Sequence, residues 1–374
     1  MHPISNATCA GPNSNASTGS GSIRCARSIL SRSLPTTCST EAPPVKPIVI
    51  GLTAGDPNGV GPEVSLRAAL QPQPANRRLV LIGPRTVWER AARIIGRRPP
   101  PDIPSLDAPL PPRATWSPDA APPPAYRPGK IRTDAARSAY AAILAAAAAA
   151  QNGRLHAVVT SPICKEAFQR AGLRVPGHTE LLAHLAGDVP VAMMLFGDRI
   201  RVVLATRHLP LRRVPGALTA DAIVEAAGML ALALPWMGFR RARIGVCGLN
   251  PHAGDGGALG SEETTVIRPA IARCRRRGWN VQGPIPADAI FHQHLAGRYD
   301  AVVAMYHDQG LAPMKMLSFD SGVNLTLGLP YVRTSPDHGT AFDLAGTGKA
   351  SPASTRAALD WAARLAARKN PWAT

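Results

Sequence analysis

The stretch PIVIGLTAGDPNGVGPE, residues 47–63, changes the character of the chain. Before it the sequence is rich in Ser, Thr, Asn and Pro. From Pro47 it becomes a short apolar run, then a glycine-rich turn, then a Pro-Glu pair at which a helix can start. A short run with no polar alternation suits a strand covered on both faces, as in parallel sheet. The same kind of run recurs as RLVLIG (78–83), HAVVTS (156–161), VAMMLF (191–196), RVVLAT (201–206), ARIGVCGLN (242–250) and DAVVAMY (300–306), with helical segments between. This alternation predicts an α/β protein with a mostly parallel sheet, arranged as two α/β layers around a cleft.

Two segments fall outside the pattern. Residues 1–45 contain no acidic residue before Glu41 and lack the apolar core of a secretion signal, so they read as a disordered extension or a start codon placed too early. The proline-rich segment 99–126 reads as an irregular excursion of the flap type, not as a domain linker. The alanine run AAILAAAAAA (141–150) ends in Gln-Asn-Gly and predicts a helix of a globular protein with a glycine at its end.

The formal charge of +18 points to an anionic partner, and composition alone does not say which. The excess is arginine scattered among alanine and proline, and no run interleaves aromatic with basic residues as single-strand nucleic-acid platforms do. Nucleic acid is therefore not an expected partner, and no uninterrupted apolar run reaches the roughly 18 residues that a membrane-spanning helix needs, so a membrane is not expected either. The six cysteines, Cys9, Cys25, Cys38, Cys164, Cys247 and Cys274, form no CxxC pair and predict reduced thiols in a cytoplasmic protein.

In parallel α/β sheets ligands collect where loops leave the carboxyl ends of strands. RVVLAT leads into His208, ARIGVCGLN into His252 and DAVVAMY into His307. A lone histidine is usually an ordinary hydrogen-bonded residue. Three at equivalent points suit a divalent cation held on one side by imidazoles and open to substrate oxygens on the other. Groups suited to phosphate or carboxylate stand nearby in sequence: His178 and Thr179 in GHTE, Lys165, Lys315 and Arg333. Each cation is equally readable as a surface charge. The loop GDPNGVGPE can turn backbone amides toward an anion at a helix N-terminus, but it is neither GxGxxG nor a Walker loop. DHGTAFDLAG (337–346) is either a ligand turn or a tight helix entry.

With GDPNGVGPE, GHTELLA, ATRHLPL, GLNPHAGDGG, GPIPADAIF, AMYHDQGLAPMK, VNLTLGLPYVRTS and DHGTAFDLAG in order, the chain from about Ile48 to its C-terminus resembles the 4-hydroxythreonine-4-phosphate dehydrogenase family of pyridoxal phosphate synthesis. The resemblance implies two α/β/α domains with an interdomain cleft, as in isocitrate and isopropylmalate dehydrogenases. Residues 46–160 with 320–374 would form one, and residues 161–319 the other, carrying the interface of a homodimer with shared active sites. It implies His208, His252 and His307 as ligands of one divalent metal (zinc, magnesium or cobalt), one of them reaching across the dimer. His178, Thr179, Lys315, Asn324 and Arg333 correspond to contacts of a phosphorylated small-molecule substrate. Asp337, Gly339 and Thr340 correspond to the loop on the side of NAD or NADP.

The implied reaction is oxidation of 4-phosphohydroxy-L-threonine to a β-keto acid that decarboxylates to 3-amino-2-oxopropyl phosphate. Lys315 would reach the phosphate or relay a proton, and Asp308 would act as a base, orient a neighbour or cap a helix. The alternatives are a dehydrogenase of four-carbon sugar-acid phosphates (erythronate or threonate 4-phosphate) and a non-catalytic metal- and phosphate-binding protein. One departure is Ser161 in VVTSPICK, where the family commonly has glycine before the proline, which puts in doubt the approach of the loop carrying Lys165.

Overall fold

The computed structural model describes residues 47–118 and 124–373; the expectation for residues 1–45 lies outside the described residues. Eleven strands follow in chain order: β1 Ile48–Thr53, β2 Arg77–Ile82, β3 Arg113–Trp116, β4 Ala157–Thr160, β5 Ala192–Phe196, β6 Arg201–Leu204, β7 Ile244–Cys247, β8 Val281–Ile285, β9 Ala301–Ala304, β10 Val323–Leu327 and β11 Val332–Pro336. They join into one sheet in the order β3-β2-β1-β4-β11-β10-β5-β6-β9-β7-β8, an α/β fold as the apolar runs predict.

The pairing is parallel from β3 through β11 and from β6 through β8. At the centre it is not: β10 runs antiparallel to β11 and β5, and β5 antiparallel to β6. The direction of the sheet thus reverses across its middle. The strands that make the reversal are the ones hardest to read in sequence. β10 and β11, VNLTL and VRTSP, interleave polar residues with apolar ones because one face serves a cavity. Part of the proline-rich segment also departs from expectation, since Arg113–Trp116 pairs with β2 as the edge strand β3.

Helices cover the sheet and bury apolar side chains against it. The helix Ala220–Met237 is long and apolar enough by composition to cross a membrane. Here Ile223, Ala227, Leu230 and Leu234 are fully buried in the core instead. Its start is fixed by Thr219, whose hydroxyl accepts from Ala222 N–H at 3.1 Å, and its end by Gly238 at φ 113°. Helix Ala353–Ala366 packs on β11, where the Thr334 hydroxyl donates to Ala358 O at 2.8 Å. Because side chains alternate along a strand, Arg333 and Ser335 point to the other face.

His294 fastens β6 to the loop before β9. Its ring is buried, Nδ1 lies 2.7 Å from Tyr299 O, and Nε2 accepts from Arg201 N–H at 3.1 Å. Only the neutral Nδ1–H tautomer satisfies both. Burial holds its pKa below the ordinary 6.5, and the Arg201 guanidinium adds to this, opposed by Tyr299 O and Asp300. The unfolded chain therefore takes up this proton first, and stability should fall as pH drops through and below about 6.5. Denaturant midpoints compared at pH 8 and pH 5.5 should fall further for the wild type than for His294→Gln. Equal falls would show that His294 does not carry the dependence.

Candidate active site

A cavity of about 400 Å³ opens over the central strands. Its floor is the face presented by Thr160 of β4, Arg333 and Ser335 of β11, Asn324 of β10 and Leu195 of β5; Asn324 stands opposite both Ser335 and Leu195. Its walls are the loops and helix starts that carry Lys165, His178, Thr179, His208 and His307.

At the floor, Arg333 is buried, and its bonded partners are hydroxyls. Nε and Nη2 donate to Thr160 Oγ1 at 3.0 and 2.6 Å, and Nη1 donates to Thr326 Oγ1 at 2.9 Å. Burial pushes its pKa down to about 10, outweighing the opposing pull of Tyr331 and of the Glu180 carboxylate. Beside it, burial and the charges of Arg333 and Lys165 hold the pKa of His178 well below the ordinary value, so its ring is neutral. Lys315 Nζ sits 3.3 Å from Asp337 Oδ2, and burial raises the Asp337 pKa against the pull of that ammonium.

Four buried polar atoms with no hydrogen-bond partner among the described residues belong to cavity residues: His178 Nε2, Arg207 Nη1, Asn324 Oδ1 and His338 Nε2. Buried polar atoms normally find partners, so a cluster left open around one cavity is what a polar ligand would satisfy. Arg207 Nη1 donates and Asn324 Oδ1 accepts, and with Arg333, Lys165 and Lys315 lining the same cavity the excess of cations favours an anion.

The histidines follow from the topology. β6, β9 and β7 are adjacent and parallel, so the loops carrying His208, His307 and His252 leave the same edge. Thr206 ties the first two together, since its N–H and hydroxyl both donate to Met305 O, at 3.1 and 2.7 Å. The His208 and His307 ring centroids are 5.6 Å apart. His307 Nδ1 lies 2.7 Å from Asp308 Oδ1, which fixes the tautomer that leaves Nε2 with its lone pair. Asp308 is otherwise exposed and does not line the cavity.

His252 is not among the cavity residues. It is exposed on a loop where His252, Ala253, Gly254, Asp255 and Gly256 all have positive φ, between 42° and 82°. For non-glycine residues this conformation costs about 1–3 kcal/mol each, and it persists only where the surroundings impose it. Glu263 holds the base of this loop: buried, it accepts from Leu249 N–H and Asn250 N–H, both at 2.8 Å, and from Asn250 Nδ2 at 3.0 Å. Gln309 links this loop to the start of the His307 helix, accepting from Met305 N–H at 2.7 Å and donating to Gly248 O at 2.8 Å. Within one chain, the described residues contain no group of three metal-ligating side chains.

Of the turn Asp337–Thr340, Asp337 and Gly339 line the cavity, and the space that a Cβ on Gly339 would enter is open. Thr340 does not line it; its carbonyl accepts from Val60 N–H at 2.9 Å. The amides of GDPNGVGPE are not presented to an anion as its sequence allows. Asp56, Asn58, Gly59 and Val60 N–H donate to Pro162 O, Asp56 Oδ1, Asp56 O and Thr340 O. Ser161, the departure in that region, fits by pairing its hydroxyl with Ser65 at 2.6 Å, and Lys165 still reaches the cavity. The sequence reading did not single out Thr160, Thr326, Glu180, Arg207 or His338. Arg207 and His338 sit beside residues it did select; the threonines carry no signal until the strands are paired.

Residues 75–362 match the family model described as pyridoxal phosphate biosynthetic protein PdxA. The chain is 44% identical over 336 residues to a 4-hydroxythreonine-4-phosphate dehydrogenase of Bradyrhizobium diazoefficiens, covering 86% of this chain and 97% of that one. It is 38% identical over 326 residues to a D-threonate 4-phosphate dehydrogenase of Pectobacterium atrosepticum, covering 85% and 99%. The crystal structure of a 4-hydroxythreonine-4-phosphate dehydrogenase from Klebsiella pneumoniae superposes with a TM-score of 0.76 at 38% identity, covering 85% of this chain and 99% of that one.

If Glu263 holds the His252 loop, Glu263→Ala should remove hydrogen-exchange protection at the Leu249 and Asn250 amides while leaving β9 protected. Unchanged protection at those amides would mean the loop is held by something else.

Proposed function

The chain belongs to the pyridoxal phosphate biosynthetic protein PdxA family and is a dehydrogenase, and from that premise we propose that it oxidises 4-phosphohydroxy-L-threonine and releases carbon dioxide from the product. The observation that carries this reading is the buried cation floor, Arg333 bonded to the hydroxyls of Thr160 and Thr326, in one cavity with a pair of neighbouring imidazoles. The four-carbon sugar-acid phosphate alternative is less favoured, because the relatives named for threonate 4-phosphate are 38–39% identical and several named for 4-hydroxythreonine 4-phosphate reach 43–45%.

A dehydrogenase of this family uses a nicotinamide cofactor and a metal; in this reading either NAD or NADP serves, with zinc, magnesium or cobalt. The residues fit a metal in part. His208 and His307 offer imidazole nitrogens, with Asp308 orienting His307, and His252 from a second copy would supply the third ligand. Exposed apolar residues border the His208 and His307 segments: Leu209, Leu211, Met316 and Phe319. They favour a homodimer that covers this face. Asp337, Gly339 and Thr340 form the nucleotide side. The lobes divide at residues 46–160 with 320–374 and residues 161–319, and the cavity draws on both. The protein works in the cytoplasm, with no nucleic acid or membrane as partner.

Bound nicotinamide supplies a hydride acceptor, and a bound divalent ion supplies Lewis acidity. Arg333, His178, Thr179, Asn324 and Lys315 hold the phosphorylated substrate, aligning its carbinol carbon with the Asp337–Thr340 side. Loss of hydride and of the hydroxyl proton leaves a ketone β to the carboxylate. The bond to the carboxyl carbon then breaks, carbon dioxide leaves, and the electron pair stays as an enolate that is protonated on carbon. Lys315 Nζ binds the phosphate or relays a proton.

Purified protein with NAD, a divalent metal and 4-phosphohydroxy-L-threonine should form NADH; a bound but unreacted ligand would instead favour a binding protein. His252→Ala should abolish both turnover and metal retention without unfolding the chain, and an unchanged rate would remove the three-histidine assignment. Lys315→Ala should raise KM with kcat nearly kept if the lysine binds phosphate; a collapse of kcat at saturating substrate would assign it proton transfer.

A further inference from the structure

Arg207 immediately precedes His208 on the loop leaving β6, and its side chain lines the same cavity. Arg207 Nη1 is sealed from solvent and has no hydrogen-bond partner among the described residues. Among the described residues the guanidinium joins no ion pair. A guanidinium carries five donors in a planar fork and does not lose its charge, so sealing one end without a partner is costly unless a ligand completes it.

The cavity thus has two cationic regions of different construction. Arg333, at the floor, is pinned by three hydrogen bonds to threonine hydroxyls. Arg207, which immediately precedes His208 of the His208 and His307 pair, has no such bonds, and its buried Nη1 is left without a partner among the described residues. A guanidinium beside a site for a divalent cation is repelled by it. That repulsion is relieved when an anionic group of the ligand stands between them. A phosphate on Arg333 therefore leaves a second anionic group of the ligand for Arg207, and a planar carboxylate matches the fork of an arginine.

We propose that Arg207 is a specificity residue that reads the substrate carboxylate, so that the cavity selects a molecule with a phosphate at one end and a carboxylate at the other over phosphates without the acid. The inference rests on the dehydrogenase reading above and adds to it the residue that recognises the acid. Arg207 grips the carboxylate alike in the bound substrate and at hydride transfer, so it lowers KM and leaves kcat nearly untouched. Its hold ends when the carboxylate departs as neutral carbon dioxide.

The test compares the wild type, Arg207→Gln and Arg207→Lys, each with NAD and a divalent metal, on 4-phosphohydroxy-L-threonine and on its carboxamide analogue, together with binding of inorganic phosphate. A charge-assisted hydrogen bond implies that the wild type prefers the acid by on the order of 10- to 100-fold in kcat/KM. Arg207→Gln should lose most of that preference through a higher KM for the acid, with kcat close to wild type; Arg207→Lys should fall between. Inorganic phosphate should bind the Gln variant as it binds the wild type, because the Arg333 region is untouched. A Gln variant that keeps the preference for the acid would overturn the proposal. So would a parallel loss of phosphate binding, which would make Arg207 a support of the whole cavity. A wild type that binds phosphate yet oxidises neither compound would overturn the dehydrogenase reading, and this inference with it.

Discussion

A guanidinium enclosed in protein and bonded to hydroxyls is an unfinished electrostatic arrangement. Burying a charge costs several kcal/mol unless a counter-charge arrives, and Thr160 and Thr326 supply dipoles rather than charge. The depressed pKa of Arg333 is the same fact in another form. The protein carries this cost where the sheet reverses direction, with strands β11, β10 and β5 alternating in sense. The register of these strands sets polar side chains of β10 and β11 on one face, and helix Ala353–Ala366 closes the opposite face with ordinary apolar packing. The cavity and the fold are therefore one solution: the strands that interrupt the parallel sheet are the strands that line the site.

The histidines obey a different constraint. Three adjacent parallel strands deliver His208, His307 and His252 to one edge, but only the first two face each other across 5.6 Å. Thr206 and Gln309 lock the strand ends that carry them, and Glu263 anchors the base of the left-handed loop that carries the third. A loop held so firmly in an unfavourable conformation, with its histidine turned to solvent, is built to present that side chain outward. The family reading gives this outward histidine a destination in a second copy.

Much of the outer sheet was legible in the sequence because β1, β2, β4, β6, β7 and β9 are buried on both faces and read as unbroken apolar runs. The motif order carried Arg333, Asn324, Lys315, His178 and Thr179, and the structure brings all five to one cavity. What composition could not reveal were β10 and β11, whose polar positions belong to the floor, and β3, hidden among prolines. Thr160 and Thr326 were invisible for the same reason: a threonine in a strand is unremarkable until pairing sets it beside a buried arginine. The glycine loop GDPNGVGPE misled in the other direction, because amides that the sequence leaves free for an anion are spent on Pro162, Thr340 and the loop's own Asp56.

The central claim, a cavity completed by a histidine from another copy, is tested most directly by subunit complementation. His252→Ala and His208→Ala proteins, each inactive alone, are mixed under conditions that exchange subunits and assayed for NADH formation. Random pairing makes half of the dimers mixed, each with one intact site, so the mixture should recover about a quarter of wild-type activity. A mixture that exchanges subunits and stays inactive would contradict the account.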